Sequence, residues 1–493
     1  MSNRLKMLLE KRGPIRKVGV MGMGYVGIPA AALFADSDSF DFVWGFQRNS
    51  RSSGYKIDML NRGESPLKGE EPGLGELLRK VAGTGKFGCT DDFSKIGGLD
   101  AVTLAIQTPF LNPGDLEPDF SALLEGLRLV GRHISEGALV VLESTVTPGT
   151  TTGLARQVLE EESGMKAGEG FALAHAPERV MVGRLLRNIR EHDRIVGGID
   201  EASTRRAIEL YSPVLTKGRI IPMSATAAEV TKTAENTFRD LQIAAINELA
   251  LYCEAMGINV YDVRAGIDSL KGEGITRAVL YPGAGVGGHC LTKDTYHLER
   301  GVKIAGSVPD FPQGKESLFV LARHINDFMP RHMYNLTVEA LRRAGKAPAG
   351  SKVALLGWAF IRDSDDARNT PSELYRDLML AAGAKVDVHD PHVRDYPGVV
   401  IGHGLESALG GADAAAVFTG HREYLLLDAR RVKELSGCER PVIVDGRNVI
   451  DPDPYIENGF IYKGIGRGDK NGHEIKKGGL TSPQDRVSVG VTL

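Results

Sequence analysis

The segment PGAGVGGHCLTKD, residues 282–294, sets Cys290 behind a run of glycines and four residues before Asp294, with Lys293 between them. Glycines let a bound molecule come close to backbone, and a lysine and a carboxylate beside a sulfur are the surroundings in which a thiol becomes a nucleophile. A lone cysteine is more often a small buried hydrophobe. The start of the chain changes that reading, because GMGYVG at 22–27 follows the apolar run KVGVM and precedes the helix-like PAAALFA. In that setting Gly22 makes the turn, Gly24 lets a pyrophosphate reach backbone N–H groups at a helix start, and Gly27 packs helix on strand. A thiol together with a nicotinamide dinucleotide points to oxidation of an aldehyde through a covalent thioester.

A second strand in such a unit should end in an acid that holds the adenosine ribose, but the stretch reads GFQRNSRS. Gln47 can still hydrogen-bond a ribose hydroxyl, and Arg48 can pair with a 2′-phosphate, so the expectation is NAD with NADP still open. Arg48 and Arg51 read equally well as solvated loop charges.

The elements that must position these groups alternate short apolar runs with helical stretches, the pattern of βαβ units on a parallel sheet. Strands are predicted within 17–22, 40–46, 100–106, 137–144 and 170–177. From Ala227 to Met256 helical spacing continues with almost no Gly or Pro, which predicts a long connecting helix. A second α/β series follows Ala349, with strands predicted within 352–360, 384–391, 413–421 and 441–448. The predicted fold class is α/β, two Rossmann-like domains with parallel sheets joined by a long central helix and a helical middle domain.

A chain of 493 residues is too long for one core. With 42% hydrophobic and 25% charged residues it is neither disordered nor fibrous, and a net charge of -3 predicts neither nucleic acid nor an anionic membrane as partner. The cysteines Cys89, Cys253, Cys290 and Cys438 are scattered, with no CxxC and no His in metal-type spacing, so no disulfide framework and no metal site is expected. The opening MSNRLKMLLEKRGP lacks the apolar core of a secretory signal, and the expected location is the cytoplasm.

Further motifs run the length of the chain: QTP at 107–109, STVTPGTT at 144–151, APER at 176–179, EVTKTAENTFRD at 229–240, GVGGHCLTKD at 285–294, ARHINDFMPRH at 322–332, GWAFIRDSDDARNTPS at 357–372 and DGRN at 445–448. In this order the chain resembles the UDP-glucose/GDP-mannose dehydrogenase family, and within it the UDP-N-acetylmannosamine/UDP-N-acetylglucosamine branch. The resemblance implies an NAD-binding Rossmann domain over 15–222 after an extension over 1–14, and a central helical domain over 223–345. A UDP-sugar-binding Rossmann-like domain over 346–466 and a flexible tail over 467–493 complete the expected order. It also implies a homodimer or higher homo-oligomer, and an oxidoreductase that converts a sugar C6 alcohol to a carboxylate with two NAD per turnover, for polysaccharide assembly.

On the same resemblance Cys290 is the nucleophile, Lys232 and Asn236 stabilise the reacting oxygen, and Asp294 assists proton transfer. Thr108 and Glu178 position water. Cofactor contacts are expected from Gly22, Gly24, Tyr25, Val26, Gly27, Gln47, Arg48, Thr108 and Thr145. Substrate contacts are expected from Glu178, Arg179, Lys232, Asn236, Arg239, His289, Arg331 and Arg368. UDP-glucose enzymes of the family carry a second glutamate four residues beyond the position of Glu178, where this chain has Val182, and usually a serine where it has His289. Both departures favour an N-acetylated sugar, UDP-N-acetylmannosamine first, with UDP-N-acetylglucosamine and UDP-glucose as alternatives and a non-catalytic NAD- or UDP-sugar-binding regulator as a remote one.

Overall fold

The computed structural model describes residues 3–67, 71–112, 116–271, 279–304 and 317–472. They divide into two compact units: Met1–Phe238 with Lys293–Lys315, and Arg239–Thr292 with Glu316–Leu493.

The first unit is built on eight strands: β1 (Lys17–Met21), β2 (Phe42–Phe46), β3 (Phe87–Thr90), β4 (Ala101–Leu104), β5 (Leu139–Leu142), β6 (Ala172–His175), β7 (Arg194–Gly198) and β8 (Ile220–Ser224). Their order across the sheet is β8-β7-β6-β5-β4-β1-β2-β3. Every pairing is parallel except β6 with β7. AVTL in β4 and LVVL in β5 are buried at every position, as strands covered on both faces must be. The five predicted strands are present. The three that the apolar pattern misses have weak patterns for physical reasons. β3 carries a glycine on the sheet edge, β7 opens on an arginine and ends on two glycines, and β8 is a largely exposed edge strand with a proline. Because β1 lies between β2 and β4, the chain reverses its direction of travel across the sheet there, and the turns after β1, β2 and β4 meet at one end.

The second unit repeats the plan with six parallel strands: β9 (Lys352–Leu356), β10 (Lys385–His389), β11 (Ile401–Gly402), β12 (Ala414–Val417), β13 (Val442–Asp445) and β14 (Ile461–Gly464). Their order is β11-β10-β9-β12-β13-β14, so the reversal falls between β9 and β12. Gly357, just after β9, has φ +102° and a Cβ there would stand 2.5 Å from the side chain of Thr419, just after β12.

The predicted long helix spans Ala225–Met256. Of the tail expected over 467–493, residues 473–493 lie outside the described residues. Asn471, within it, is buried, accepting the Gly464 N–H at 2.8 Å and donating to the Gly464 carbonyl at 2.9 Å. No helix among the described residues is long and apolar enough to cross a membrane.

Candidate active site

In the first unit the turn after β1 has the form a dinucleotide needs. Gly22 adopts φ +99° and donates its N–H to the Phe46 carbonyl at 3.1 Å; a Cβ on it would meet the Ala105 carbonyl at 2.5 Å. A Cβ on Gly27 would lie 2.1 Å from the Gly22 carbonyl. Gly24 differs, because nothing stands within 4 Å of a Cβ built on it and its backbone is outside the left-handed region. Two of the glycines are thus required by the fold, while the third leaves space. The helix Gly27–Asp36 begins there with no side-chain cap, with Tyr25 and Val26 half-buried on the turn, so its first N–H groups suit a diphosphate. Gly24→Val is therefore expected to weaken NAD binding roughly tenfold or more, with Tm moving by no more than about 2 °C. Titration calorimetry and a thermal melt check it; unchanged affinity would show that this turn does not hold the cofactor.

After β2, Gln47 Nε2 donates to Ser53 Oγ at 3.1 Å, and Arg48 pairs with Glu125 at 2.5 Å on the surface. After β4, buried Thr108 donates to the Thr145 carbonyl at 2.5 Å and so ties the ends of β4 and β5 together.

The same unit holds a charged cluster. Lys232 and Asn236, one turn apart on the long helix, share a face, and Lys232 is only 8% exposed. Asn236 Nδ2 donates to Asp294 Oδ2 at 2.5 Å, and Lys293 Nζ reaches Asp294 Oδ1 at 3.0 Å. Asp294 is fully buried. Burial pushes its pKa up, but Lys293, Lys232 and the Asn236 amide together outweigh burial and hold the carboxyl below its ordinary value.

Glu178, in the turn after β6, accepts the Arg179 N–H at 2.9 Å and forms an ion pair with Arg194, the first residue of β7. Arg194 also donates to Glu143 Oε1 at 2.7 Å, and Tyr211 donates to that oxygen at 2.7 Å. His175 is buried nearby; burial first, then the charges of Lys232 and Arg194, push its pKa down to about 3, so the ring is neutral. Arg179 pairs with Glu235 at 3.4 Å and donates to the Asp193 carbonyl. Motif reading does not reach Glu143, His175, Arg194 and Tyr211. The available signal is a charged residue at the end of a fully apolar strand, Glu143 after β5 and Arg194 opening β7, since such residues are buried only when paired.

In the second unit the cysteine segment is tied down along its length. The Gly283 N–H donates to Asn247 Oδ1 at 2.9 Å, the Ala284 N–H to the Gly446 carbonyl at 3.1 Å, and the Gly288 N–H to the Arg368 carbonyl at 2.8 Å. Asn369, in the left-handed region at φ 49°, donates to the Gly288 carbonyl at 3.1 Å. The glycines do not act as the sequence suggests. A Cβ at Gly285 would meet Pro371 at 2.8 Å and one at Gly287 would meet Phe360 at 2.5 Å, so protein fills the space their missing side chains leave. His289 Nε2 stands 3.7 Å from Cys290 Sγ, with His289 exposed and Cys290 half-buried. The Arg368 guanidinium pairs with Asp366 at 2.5 Å, while Arg239 and Arg331 are exposed. Arg447, in DGRN, donates to the carbonyls of Phe418 at 2.9 Å and Phe360 at 3.3 Å, at the end of the sheet where the reversal lies.

Among the described residues one cluster of metal-type donors is present, Asp363, His392, His421 and Glu423, with atoms within 4.8 Å of one another. His421 already accepts the Asp363 N–H at 2.9 Å through Nδ1 and reaches Asp390 at 3.1 Å through Nε2. Arg362 and Arg422 lie 3.5 Å and 3.1 Å from Asp363. His421 and Asp363 are thus already engaged, while His392 Nε2 has no hydrogen-bond partner and stands 3.7 Å from Glu423.

The chain matches three successive domain descriptions of one family: NAD binding domain over 16–215, central domain over 226–314 and UDP binding domain over 354–452. It belongs to the UDP-glucose/GDP-mannose dehydrogenase family. As such it is an NAD-binding oxidoreductase of nucleotide sugars. The dinucleotide turn, Glu178 and Arg194 fall in the family's NAD binding domain; Lys232, Asn236, Arg239, His289, Cys290 and Asp294 fall in its central domain; Arg368 and Arg447 fall in its UDP binding domain; Arg331 lies outside all three.

Among its relatives is the UDP-N-acetyl-D-mannosamine dehydrogenase of Pyrococcus horikoshii, 37% identical over 92% of this chain and 100% of the relative. The solved structure of that organism's UDP-D-ManNAc dehydrogenase superposes with a TM-score of 0.80 at 35% identity, over 92% of this chain and 100% of the other. The crystal structure of NDP-N-acetyl-D-galactosaminuronic acid dehydrogenase from Methanosarcina mazei Go1 is 73% identical, with a TM-score of 0.89 over 96% of this chain and 99% of the other.

Proposed function

We propose that the chain oxidises the C6 alcohol of a UDP-N-acetylhexosamine to the carboxylate, with Cys290 carrying the sugar between two oxidations. NAD bound at the turn after β1 supplies the hydride acceptor, used twice. The observation that carries this reading is the Lys232–Asn236–Asp294 cluster, its lysine and aspartate buried, which combines a cation, an amide donor and a carboxylate held below its ordinary pKa within one family domain with a cysteine three residues before Lys293.

The C6 hydroxyl gives up its proton with help from Asp294 while C6 loses a hydride, leaving an aldehyde. Lys232 and Asn236 stabilise the charge that grows on that oxygen. The Cys290 sulfur then adds to the carbonyl carbon, its proton passing to the oxygen, to form a thiohemiacetal. Loss of a second hydride from C6 and of the hydroxyl proton leaves a thioester. Water positioned by Glu178 and Thr108 attacks the thioester, the C–S bond breaks, and the uronate and free thiol remain. Four electrons leave the sugar in all. Arg368, Arg331, Arg239, Arg179 and His289 serve the diphosphate and the sugar.

Val182 and His289 support an N-acetylated sugar. The N-acetyl-D-mannosamine relative and the more nearly identical N-acetyl-D-galactosaminuronic acid relative support the manno and galacto configurations respectively. NAD is favoured over NADP because Arg48 is already held by Glu125, whose carboxylate repels a 2′-phosphate. The domains follow as 15–222 for NAD, 223–345 for the central helices and 346–466 for the UDP sugar, with a homodimer supported by exposed Tyr252 and Met256 on the long helix.

The test is absorbance of reduced nicotinamide with NAD or NADP and UDP-N-acetylgalactosamine, UDP-N-acetylmannosamine, UDP-N-acetylglucosamine or UDP-glucose. Two reduced cofactors per sugar are expected with NAD and an N-acetylated substrate. One reduced cofactor per sugar, or preference for UDP-glucose, would overturn the proposal.

A further inference from the structure

We infer that Arg194 is the positioning residue for Glu178, clamping its carboxylate in the place from which it directs water at the thioester. The inference rests on the role given above to Glu178.

Arg194, Glu143 and Glu178 are exposed by only 4%, 0% and 7% at their side chains. One guanidinium stands between two carboxylates, each held through a different nitrogen, Nη1 on Glu178 and Nη2 on Glu143. Nη2 also donates to the Ala176 carbonyl at 3.2 Å, two residues before Glu178, so the same group holds the side chain and the backbone leading to it. The Tyr211 ring lies 3.8 Å below the guanidinium, and the Tyr211 hydroxyl holds Glu143, which fixes the clamp from its far side.

One cation cannot neutralise two buried anions, and the environments of the two acids differ. Glu143 Oε2 is buried with no hydrogen-bond partner, while its Oε1 accepts from both Arg194 and Tyr211. Burial, offset only in part by Arg194, pushes the Glu143 pKa up. Both oxygens of Glu178 are engaged, Oε1 by the Arg179 N–H and Oε2 by Arg194. The guanidinium therefore holds Glu178 at one oxygen while the Arg179 N–H holds the other, and Glu143 buttresses the guanidinium from its far side. A purely structural arginine would need only to close the end of β7.

The experiment uses the full chain with NAD and the UDP-N-acetylhexosamine it turns over, comparing R194Q, R194K, E178Q and E178Q/R194Q. In R194Q, kcat is expected to fall on the order of 10²-fold with KM within about threefold, because misplacing a positioned group slows chemistry rather than binding. R194K keeps the charge without the two-pronged geometry and recovers part of the loss. Stopped-flow traces of R194Q and E178Q are both expected to show a burst of two reduced nicotinamides per site and then slow turnover, the signature of stalled thioester hydrolysis. The double variant should be no worse than about threefold below E178Q alone. Where removing a buried charge costs R194Q its fold, seen as lost NAD binding, R194K carries the test through the same burst and cycle.

Near-normal kcat in a folded R194Q, no burst in R194Q where E178Q shows one, or losses that multiply in the double variant would overturn the clamp while leaving Glu178 its role. An E178Q enzyme with normal turnover would instead overturn the role of Glu178 and the clamp with it.

Discussion

Cys290→Ser is expected to lose turnover by a factor on the order of 10³ or more, while NAD affinity and Tm remain those of the parent. The half-buried sulfur touches His289 and is not part of the hydrophobic core, so the oxygen can take its place without a cavity. Chemistry is another matter. A serine hydroxyl is a far weaker nucleophile at neutral pH than a thiol, and a thioester releases its acyl group to water more readily than an ester. Acid quenching of the parent during turnover, followed by mass spectrometry, should show the sugar acyl group on the peptide containing Cys290 and none on the variant. A Cys290→Ser enzyme that produces two reduced cofactors per sugar at the parent rate would remove the covalent route and leave an ordinary alcohol dehydrogenase on the same scaffold.

Lys232→Met is expected to lower kcat about 10²–10³-fold, the range seen when a donor to a developing oxyanion is removed. Methionine fills similar space, so the loss is electrostatic. A second effect identifies the mechanism. Lys293, Lys232 and the Asn236 amide together outweigh burial and hold Asp294 below its ordinary pKa, and on the proposed route the carboxylate is its competent form. Without Lys232 the carboxyl takes up its proton at higher pH, so the acid limb of the rate profile moves upward. Stability follows the same sign. A depressed carboxylate contributes stability above its unfolded pKa, about 3.9, and loses it as pH falls through the folded value, so the variant gives up part of that contribution at neutral pH. A kcat within about threefold of the parent, or an acid limb that stays or moves down, would dismiss Lys232 from the reaction.

What can be read along the chain is what depends on near neighbours. The runs AVTL and LVVL announce buried parallel strands because no solvated strand tolerates apolar side chains on both faces. The spacing of Gly22, Gly24 and Gly27 announces a dinucleotide turn because Gly22 takes a left-handed turn, Gly27 clears the Gly22 carbonyl and Gly24 leaves room, and the four-residue step from Lys232 to Asn236 places both on one helix face whatever packs against it. Edge strands such as IIPMS carry little pattern, since half their surface meets water.

The glycines around Gly285 and Gly287 show the boundary. Locally they state only that no side chain fits; that the space belongs to Pro371 and Phe360, rather than to a ligand, depends on residues far along the chain. The clamp on Glu178 shows it again. Glu143, Arg194 and Tyr211 stand at the ends of separate elements with no motif among them, and a buried charge is tolerated only where its partner arrives by folding. Fold class, family and the residue types available for chemistry are legible in one dimension, because they rest on short-range periodicity and spacing. Which carboxylate is ionised, which arginine is already committed and which glycine leaves room are settled in three dimensions, because desolvation and pairing exist only once distant segments have met.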